Sequence, residues 1–413
     1  MFTPRCWKEL LGRVAGFFPR RETRQSCGQM VRGLLMELED HNCWTIAEAV
    51  GHCGPHRLQH LLSRAVWDEQ RVLDTASAWA VSHLGGGDAV LIVDETADEK
   101  SSADAAGAAR QYSGTVGGIA LCQVAVTVTY ATGRGHALID RALYLPETCA
   151  ADEEHRELAG IPEEVLFATK PQLAGALLKR AHSRGIRAAF VAGDEVYGGR
   201  EMRRGIRELG MGYVMAVRAN HTLSTSPGRP MTAAAAARMI PTHAWQRMRT
   251  GAGTKGIRHY DWAMLEVTSD DTPEGHDAGH SVLLIRRHRY TGTLSFYRCW
   301  TPGPAALAQL IAAAVARWRI EMVFTQVAKG PVWPVGGGGQ DVADLDLVAG
   351  DDDAVDEQFG QLPPLGEGGG GQPGPDGLAE PLDPVGDGGE FQPLLGSGLQ
   401  LPLLGGQGGL AAV

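Results

Sequence analysis

The last 83 residues, Pro331 to Val413, contain no lysine, arginine or histidine. They carry 14 acidic residues, and glycine and proline fill 32 of the positions. No helical or strand period lasts in such a composition, which predicts a disordered, low-complexity acidic tail over 331–413. Cysteine is scarce as well. Seven, odd in number and unevenly spaced, do not make a disulfide framework and point to a reducing, cytoplasmic compartment. No apolar run approaches the ~20 residues that span a bilayer. The opening MFTPRCWKELLGRVAGFFPRR is interrupted by Arg13 and has no small-residue cleavage site, so neither a membrane nor a signal peptide is expected. A Gly-x-Ser-x-Gly elbow is missing, which removes support for a serine hydrolase. GAGTKG at Gly251–Gly256 lacks the Gly-Lys-Ser/Thr ending of a phosphate-binding loop.

What is present suits a folded protein: 44% of residues are apolar and 21% charged, enough for a sizeable core. The formal charge of -10 is misleading, because the acidity sits in the tail. The first 330 residues hold all 38 bases against 34 acids, a net of +4, and all 14 histidines. A nucleic-acid partner is therefore not excluded.

Residues 1–85 read as an all-α domain, with helical periods over Arg21–Leu38, Trp44–Val50, His56–Trp67 and Glu69–Leu84, closed by Gly85-Gly86-Gly87. The stretch TIAEAVGHCGPHRLQHLLSRA has the layout of a helix-turn-helix, for DNA binding or dimerisation, and equally that of a plain αα-hairpin. From Asp88 the period changes. Strands are predicted at Ala89–Val93, Ile119–Tyr130 and His136–Leu145, a helix at Pro171–Ser183, a strand at Ala188–Ala192 and a helix from about Gly199 to Leu209. A strand at Tyr213–Val217 leads into a β-rich insertion at about 220–297, with alternation through Trp262–Val267 and Ser281–Arg286. A long helix from about Pro304 to Lys329 closes an α/β layered domain.

Asp94 ends the first strand, in LIVDET, and Asp194 ends the fourth, in AFVAGDEVYG. Carboxylates just past the carboxyl ends of buried strands stand where open α/β sheets hold ligands, although each alone reads equally as a turn or helix cap. Glu321, in ARWRIEMVF of the long helix, flanks its apolar stripe and by itself reads as an i,i+4 ion pair with Arg317. Taken together, two aspartates on neighbouring strands and a glutamate on a helix over the same sheet can converge. Three carboxylates so close require a cation. Oxygen-only donors select hard divalent ions, Mg²⁺ or Mn²⁺, and two of them about 3.5–4 Å apart serve phosphodiester chemistry.

The order of elements together with VDET, RQYSG, GHALIDRALYLP, GDEVYG and RWRIE resembles the bacterial insertion-sequence DDE transposases over roughly residues 20–330. The resemblance implies an RNase H-like (retroviral-integrase-like) mixed sheet, formed by 86–219 and 298–330 and interrupted by the 220–297 insertion. It implies that Asp94, Asp194 and Glu321 bind two Mg²⁺ or Mn²⁺ ions and catalyse cleavage of DNA at element ends and strand transfer. Double-stranded DNA, as terminal repeats and target, is the implied partner, and a homodimer on DNA in the bacterial cytoplasm, associated with the nucleoid, the implied working form. The signature around the glutamate runs Tyr, two residues, Arg, three residues, Glu, six residues, Lys. Arg317 fits it. Ala314 stands at the tyrosine position, and Lys329 falls one place late; the resemblance assigns Arg317 and Lys329 to DNA phosphates.

Lys170 to Arg218 holds ten bases against four acids, Arg200, Arg203, Arg204 and Arg207 among them. Such a cluster suits phosphate contacts, and a solvated helix face explains Arg203, Arg204 and Arg207 as well. Trp245 and Trp262 could stack on a flipped base or belong to a core. Cys43, Cys53, His56 and His60 match no common structural zinc spacing. Two alternatives stand beside a transposase: a metal-dependent nuclease on the same fold, and an inactive, truncated or frameshifted remnant that only binds DNA. The abrupt loss of bases near Lys329 is what a frame shift in GC-rich DNA produces. On that reading, translating the gene past this codon in the other two frames recovers an amphipathic segment rich in arginine and aromatics; two frames without one dismiss it.

Overall fold

The computed structural model describes residues 4–113, 117–225, 228–253 and 256–328, and the side chains of 4–5, 252–257 and 319–328 lie outside the described residues. The expected tail at 331–413 and Lys329 also fall outside them. The chain opens with α1 (Pro4–Val14), α2 (Arg21–Leu34), α3 (Cys43–Ala49), α4 (His56–Ser63) and α5 (Glu69–Leu84). Their core gathers Val14, Phe18, Met30, Ile46, Leu58 and Leu61. Gly33 lets α2 approach α3 closely, since a Cβ there would lie 2.2 Å from Ile46 Cγ2. Asn42 starts α3 by accepting from the backbone N–H of Trp44 at 2.8 Å and of Thr45 at 3.1 Å, a side-chain cap on otherwise unpaired donors. No helical period was singled out over α1 within the all-α segment; its apolar residues Cys6, Trp7, Leu10, Leu11 and Val14 are broken up by charge.

Then come β1 (Val90–Glu99), β2 (Ala109–Ser113), β3 (Gly118–Thr132) and β4 (Gly135–Tyr144), followed by the short α6 (Glu147–Ala151) and α7 (Glu153–Leu158). Next are α8 (Lys170–Ser183), β5 (Phe190–Gly193), α9 (Arg200–Glu208) and β6 (Gly212–Val217). The insertion holds β7 (Thr222–Thr225), β8 (Arg229–Thr232), α10 (Ala233–Arg238), β9 (Gln246–Gly253), β10 (Gly256–Glu266) and β11 (His280–Arg287). Finally β12 (Leu294–Thr301) returns to α11 (Leu307–Ala328).

Ten strands form one mixed sheet in the order β2-β3-β1-β5-β6-β12-β11-β10-β9, with β4 on the other part of β3. Strands β1, β5 and β6 are parallel, and β3 is antiparallel to β1. This is the RNase H-like order, and the fold is mixed α/β with helices before it. One face packs Leu91, Val93, Val191 and Met215 against Leu177 of α8 and Ile206 of α9. The other packs Val90, Ile92, Ala192 and Val214 against Leu310, Ile311 and Ala314 of α11. Strand β1 runs six residues past the apolar run predicted for it. The polar stretch Asp94–Glu99 has little strand preference of its own, and it is the ladder to β3, ending at Glu99↔Cys122, that holds it extended.

The insertion continues the core sheet. Strand β12 pairs β6 on one edge and β11 on the other, so the boundary expected at 297/298 lies inside a single strand. Its long loop is tied down by buried charge. Arg203 and Arg207 of α9 and Arg298 of β12 are each about 1% exposed. Arg203 reaches Asp270 at 2.8 Å and Asp271 at 3.0 Å, Arg207 reaches Asp271 at 2.7 Å, and Arg298 reaches Asp270 at 2.7 Å. Tyr213 also donates to Asp271. The two guanidinium groups hold the Asp270 carboxyl below the usual range, although its burial alone would raise it.

Asp271 is fully buried with two arginines on it. Asp271→Ala is expected to lower the unfolding free energy by about 3–5 kcal/mol, since removing one partner leaves the guanidinium groups buried and uncompensated. Denaturant titration of the two proteins reads this directly; a loss below about 1 kcal/mol, the scale of a surface pair, contradicts it.

Candidate active site

Parallel strands fix the two aspartates side by side. Val93 of β1 is in register with Gly193 of β5, and the next residue of each chain segment is Asp94 and Asp194. Neighbouring strands lie about 4.8 Å apart, so the backbones that carry the carboxylates begin at about that spacing. Alternation along β1 sends Val90 and Ile92 toward α11 and carries Asp94 to the same side. Arg317 of α11 meets it there, with Nε 3.8 Å from Asp94 Oδ2 and both side chains largely buried.

Each aspartate is braced by backbone. Asp94 Oδ1 accepts from the Glu95 N–H at 2.9 Å, and Thr127 donates its hydroxyl to the Asp94 carbonyl at 3.1 Å. Asp194 Oδ1 accepts from the Val196 N–H at 2.9 Å, and its carbonyl accepts from the Tyr197 N–H at 3.2 Å. The turn-capping role weighed for Asp194 is thus present. It leaves further lone pairs of a half-buried carboxylate for other partners, since an ionised carboxylate has about four acceptor positions.

Glu321 belongs to α11, one helical turn after Arg317, and its side chain lies outside the described residues. Among the described residues no group of three or more metal-type donors forms; the acidic pair at this end of the sheet is Asp94 with Asp194.

Glu95 and Tyr197, not singled out from sequence, and Lys170 of the basic cluster lie on the α8/α9 face of the sheet, next to the two aspartates along the chain or across it. Glu95, the next residue on β1, pairs with Lys170 at 2.8 Å, and Lys170 lies 5.4 Å from the Tyr144 ring centre. Tyr197, in the GDEVYG turn, is fully buried, and its hydroxyl has no hydrogen-bond partner among the described residues. Burial pushes that hydroxyl well above its usual range. The charges of Glu95, Asp194 and Asp94 push the same way, and Arg317 opposes them. The aromatic three places after Asp194 was the available signal for it.

The basic cluster at 170–218 is largely spent inside the fold. Arg180 and Arg184 bind the buried Asp140, Arg184 also binds Asp74 of α5, and Arg203 and Arg207 hold the insertion loop. Arg203 is therefore available neither to DNA nor to solvent, which corrects both readings offered for it and for Arg207. Arg200 and Arg204 face outward, Arg204 beside Glu208. Trp262 is fully buried and packs in the sheet core, which removes it as a base-stacking platform. Trp245 has the Arg287 guanidinium 4.1 Å over its ring.

The turn after Asp194 has no spare room. A Cβ on Gly198 would lie 2.6 Å from the Ala216 carbonyl oxygen. Gly198→Ala is expected to cost about 1–3 kcal/mol through backbone displacement, seen as a lower midpoint in denaturant; an unchanged midpoint contradicts it.

Comparison with known proteins points the same way as the geometry. A family profile described as DDE superfamily endonuclease matches residues 13–264, more than half of the chain. A curated protein from Microchaete diplosiphon, "Probable transposase for insertion sequence element IS701", is 29% identical over 199 residues, covering 47% of this chain and 49% of the relative. The chain thus spans about half the length of that relative. Among solved structures, the NurA nuclease from Sulfolobus solfataricus aligns over 60% of this chain and 87% of its own at 9% identity. Its TM-score of 0.26 is too low to carry an argument. On the family match, this chain belongs to the DDE superfamily endonucleases.

Proposed function

We propose that the protein is an insertion-sequence transposase that cuts double-stranded DNA at the ends of its element and joins them to target DNA. The observation that carries this reading is the Asp94–Asp194 pair, in register on adjacent parallel strands beneath the helix that bears Arg317 and Glu321. The family membership and the similarity to a transposase support it. Two hard carboxylates, one on β1 and one in the turn after β5, suit Mg²⁺ or Mn²⁺. Glu321 is proposed as the third donor. Two such cations would supply Lewis acidity for activating a water or a 3′ hydroxyl and for stabilising the leaving oxygen.

The chain's own groups do the rest. Asp94 and Asp194 need little reorganisation, because strand register and backbone hydrogen bonds already set them. Arg317 puts a fixed positive charge against Asp94, and its fork of donors suits a phosphate at the site mouth. Arg200 and Arg204 remain proposed DNA contacts, and Lys329 a proposed phosphate contact by analogy. Residues 1–85 are proposed to bind the terminal repeats or a second subunit, with a homodimer bringing two ends together at the cell's DNA in the cytoplasm. No described helix is long and apolar enough to cross a membrane.

The test is Mg²⁺- or Mn²⁺-dependent cleavage of DNA carrying the element's own ends. Asp194→Ala is expected to lose on the order of 10³-fold or more in rate while retaining DNA binding, in line with several kcal/mol of lost charge stabilisation. Equal cleavage by both proteins removes Asp194 from the site. Joined products in the same reaction separate a transposase from a nuclease, and binding without any cleavage identifies an inactive remnant.

A further inference from the structure

We propose that Arg286 of the insertion is a positioning residue of the carboxylate site: its guanidinium, held between the rings of Tyr260 and Trp318, keeps Arg317 on Asp94. This rests on the reading of Asp94 and Asp194 as a divalent-cation site. The first ground is the contact itself. The Arg286 guanidinium lies 4.3 Å from the centre of the Trp318 ring and 4.8 Å from that of Tyr260, and the two rings stand 6.0 Å apart. A cation over aromatic faces is attracted to them, more strongly as water is excluded, and a planar guanidinium also stacks, which fixes its orientation on the ring. Arg286 is itself anchored: it pairs with Ser295 of β12 across the ladder and donates to the Ser295 hydroxyl at 2.7 Å. Its Nε has no hydrogen-bond partner among the described residues, so the rings are what offsets the burial of that side of the charge.

The second ground is where the contact falls. Leu284, two residues before Arg286 on β11, packs toward α11, and strand alternation carries Arg286 to the same face. Along α11, Leu310, Ile311, Ala314 and Val315 are buried against the sheet. Trp318 is the next large apolar side chain, one residue past Arg317, whose Nε lies 3.8 Å from Asp94 Oδ2. Consecutive residues of one helix therefore meet strands well separated in the sheet: β1 on one side, β11 and β10 on the other, with β5, β6 and β12 between. Contacts on two sides fix the rotation of the helix about its axis, where a single one would let it roll. With Trp318 unpinned, the Arg317 charge is free to leave Asp94. A divalent cation then binds the two aspartates more tightly, because the positive charge that opposes it has moved away.

The experiment measures Mn²⁺ binding to the full chain without DNA, from the free-ion electron paramagnetic resonance signal, with thermal melting of each metal-free protein. Arg317→Gln removes the opposing charge directly and should tighten binding on the order of tenfold. Arg286→Met keeps a long side chain without the charge, and Trp318→Leu removes the ring from the other side of the contact. Each should tighten binding by roughly threefold or more, and neither should add to Arg317→Gln when combined with it, the mark of coupled residues. Arg286→Lys keeps a cation over the rings and should stay closer to wild type than Arg286→Met. Because two variants attack one contact, a failure of either to fold leaves the other to decide. Wild-type affinity in a folded Arg286→Met or Trp318→Leu, even with a lower melting temperature, makes the contact a packing feature only and overturns the role of Arg286. Full additivity with Arg317→Gln, or Arg286→Lys behaving as Arg286→Met, overturns it too, and all three outcomes leave the aspartate site standing. Asp194→Ala should abolish the binding; wild-type Mn²⁺ binding that is absent or insensitive to it takes down the aspartate site and the role of Arg286 together.

Discussion

The parallel pairing of β1 with β5 is the constraint on which the site depends. It sets Val93 beside Gly193 and so brings together two carboxylates a hundred residues apart in the chain. Like charges on neighbouring strands repel, and the fold answers with positive charge from a third element, Arg317 of α11. The apolar stripe of α11 against Ile92, Ala192 and Val214 is what holds that charge in place. Packing on one face of the sheet and electrostatics at its end are thus one arrangement, and a shift of α11 along the sheet would disturb both.

Much of the molecule's positive charge serves architecture. Asp140, buried on β4, gathers Arg180 of α8 and Arg184 just after it, and Arg184 reaches on to Asp74 of α5. Ser77 of α5 donates to the Ile139 carbonyl at 2.7 Å, so the last helix of the N-terminal region is fastened to the catalytic sheet. On the other flank, Arg203, Arg207 and Arg298 fasten the insertion loop through Asp270 and Asp271. Buried ion pairs of this kind add little net stability over apolar packing, but they are costly to break. Their effect here is to join three stretches of chain in one register.

Sequence periodicity located α5 over Glu69–Leu84 and a helix over Pro171–Ser183, one residue short of α8, which Thr169 and Gln172 start with a reciprocal cap, because these signals are local. Strands β2, β7, β8, β9 and β12 went unread: Ala109–Ser113 and Gln246–Gly253 have little apolar alternation, β7 and β8 are four residues each, and Leu294–Thr301 is defined by its two neighbours. The aspartates were legible because each follows a short apolar run. The burial of Tyr197 and the Lys170–Glu95 pair were not, since nothing in a linear pattern says that a turn tyrosine ends up inside the core or that a lysine reaches a glutamate 75 places earlier.

The fate of the arginines shows where the two levels divide. In α9, Arg203 and Arg207 share the buried stripe with Met202 and Ile206, while Arg200 and Arg204 turn outward. Helical spacing separates the two pairs from sequence alone. Which pair meets solvent depends on acids more than sixty residues downstream, Asp270 and Asp271, that fold back over the helix. Local residue order determined most of the helices, the acidic residues that follow the short apolar runs and the mild positive charge ahead of the tail. Only the tertiary structure decided which charges face one another, because an ion pair is selected by distance in space and burial from water, and neither quantity is written in the spacing along a chain.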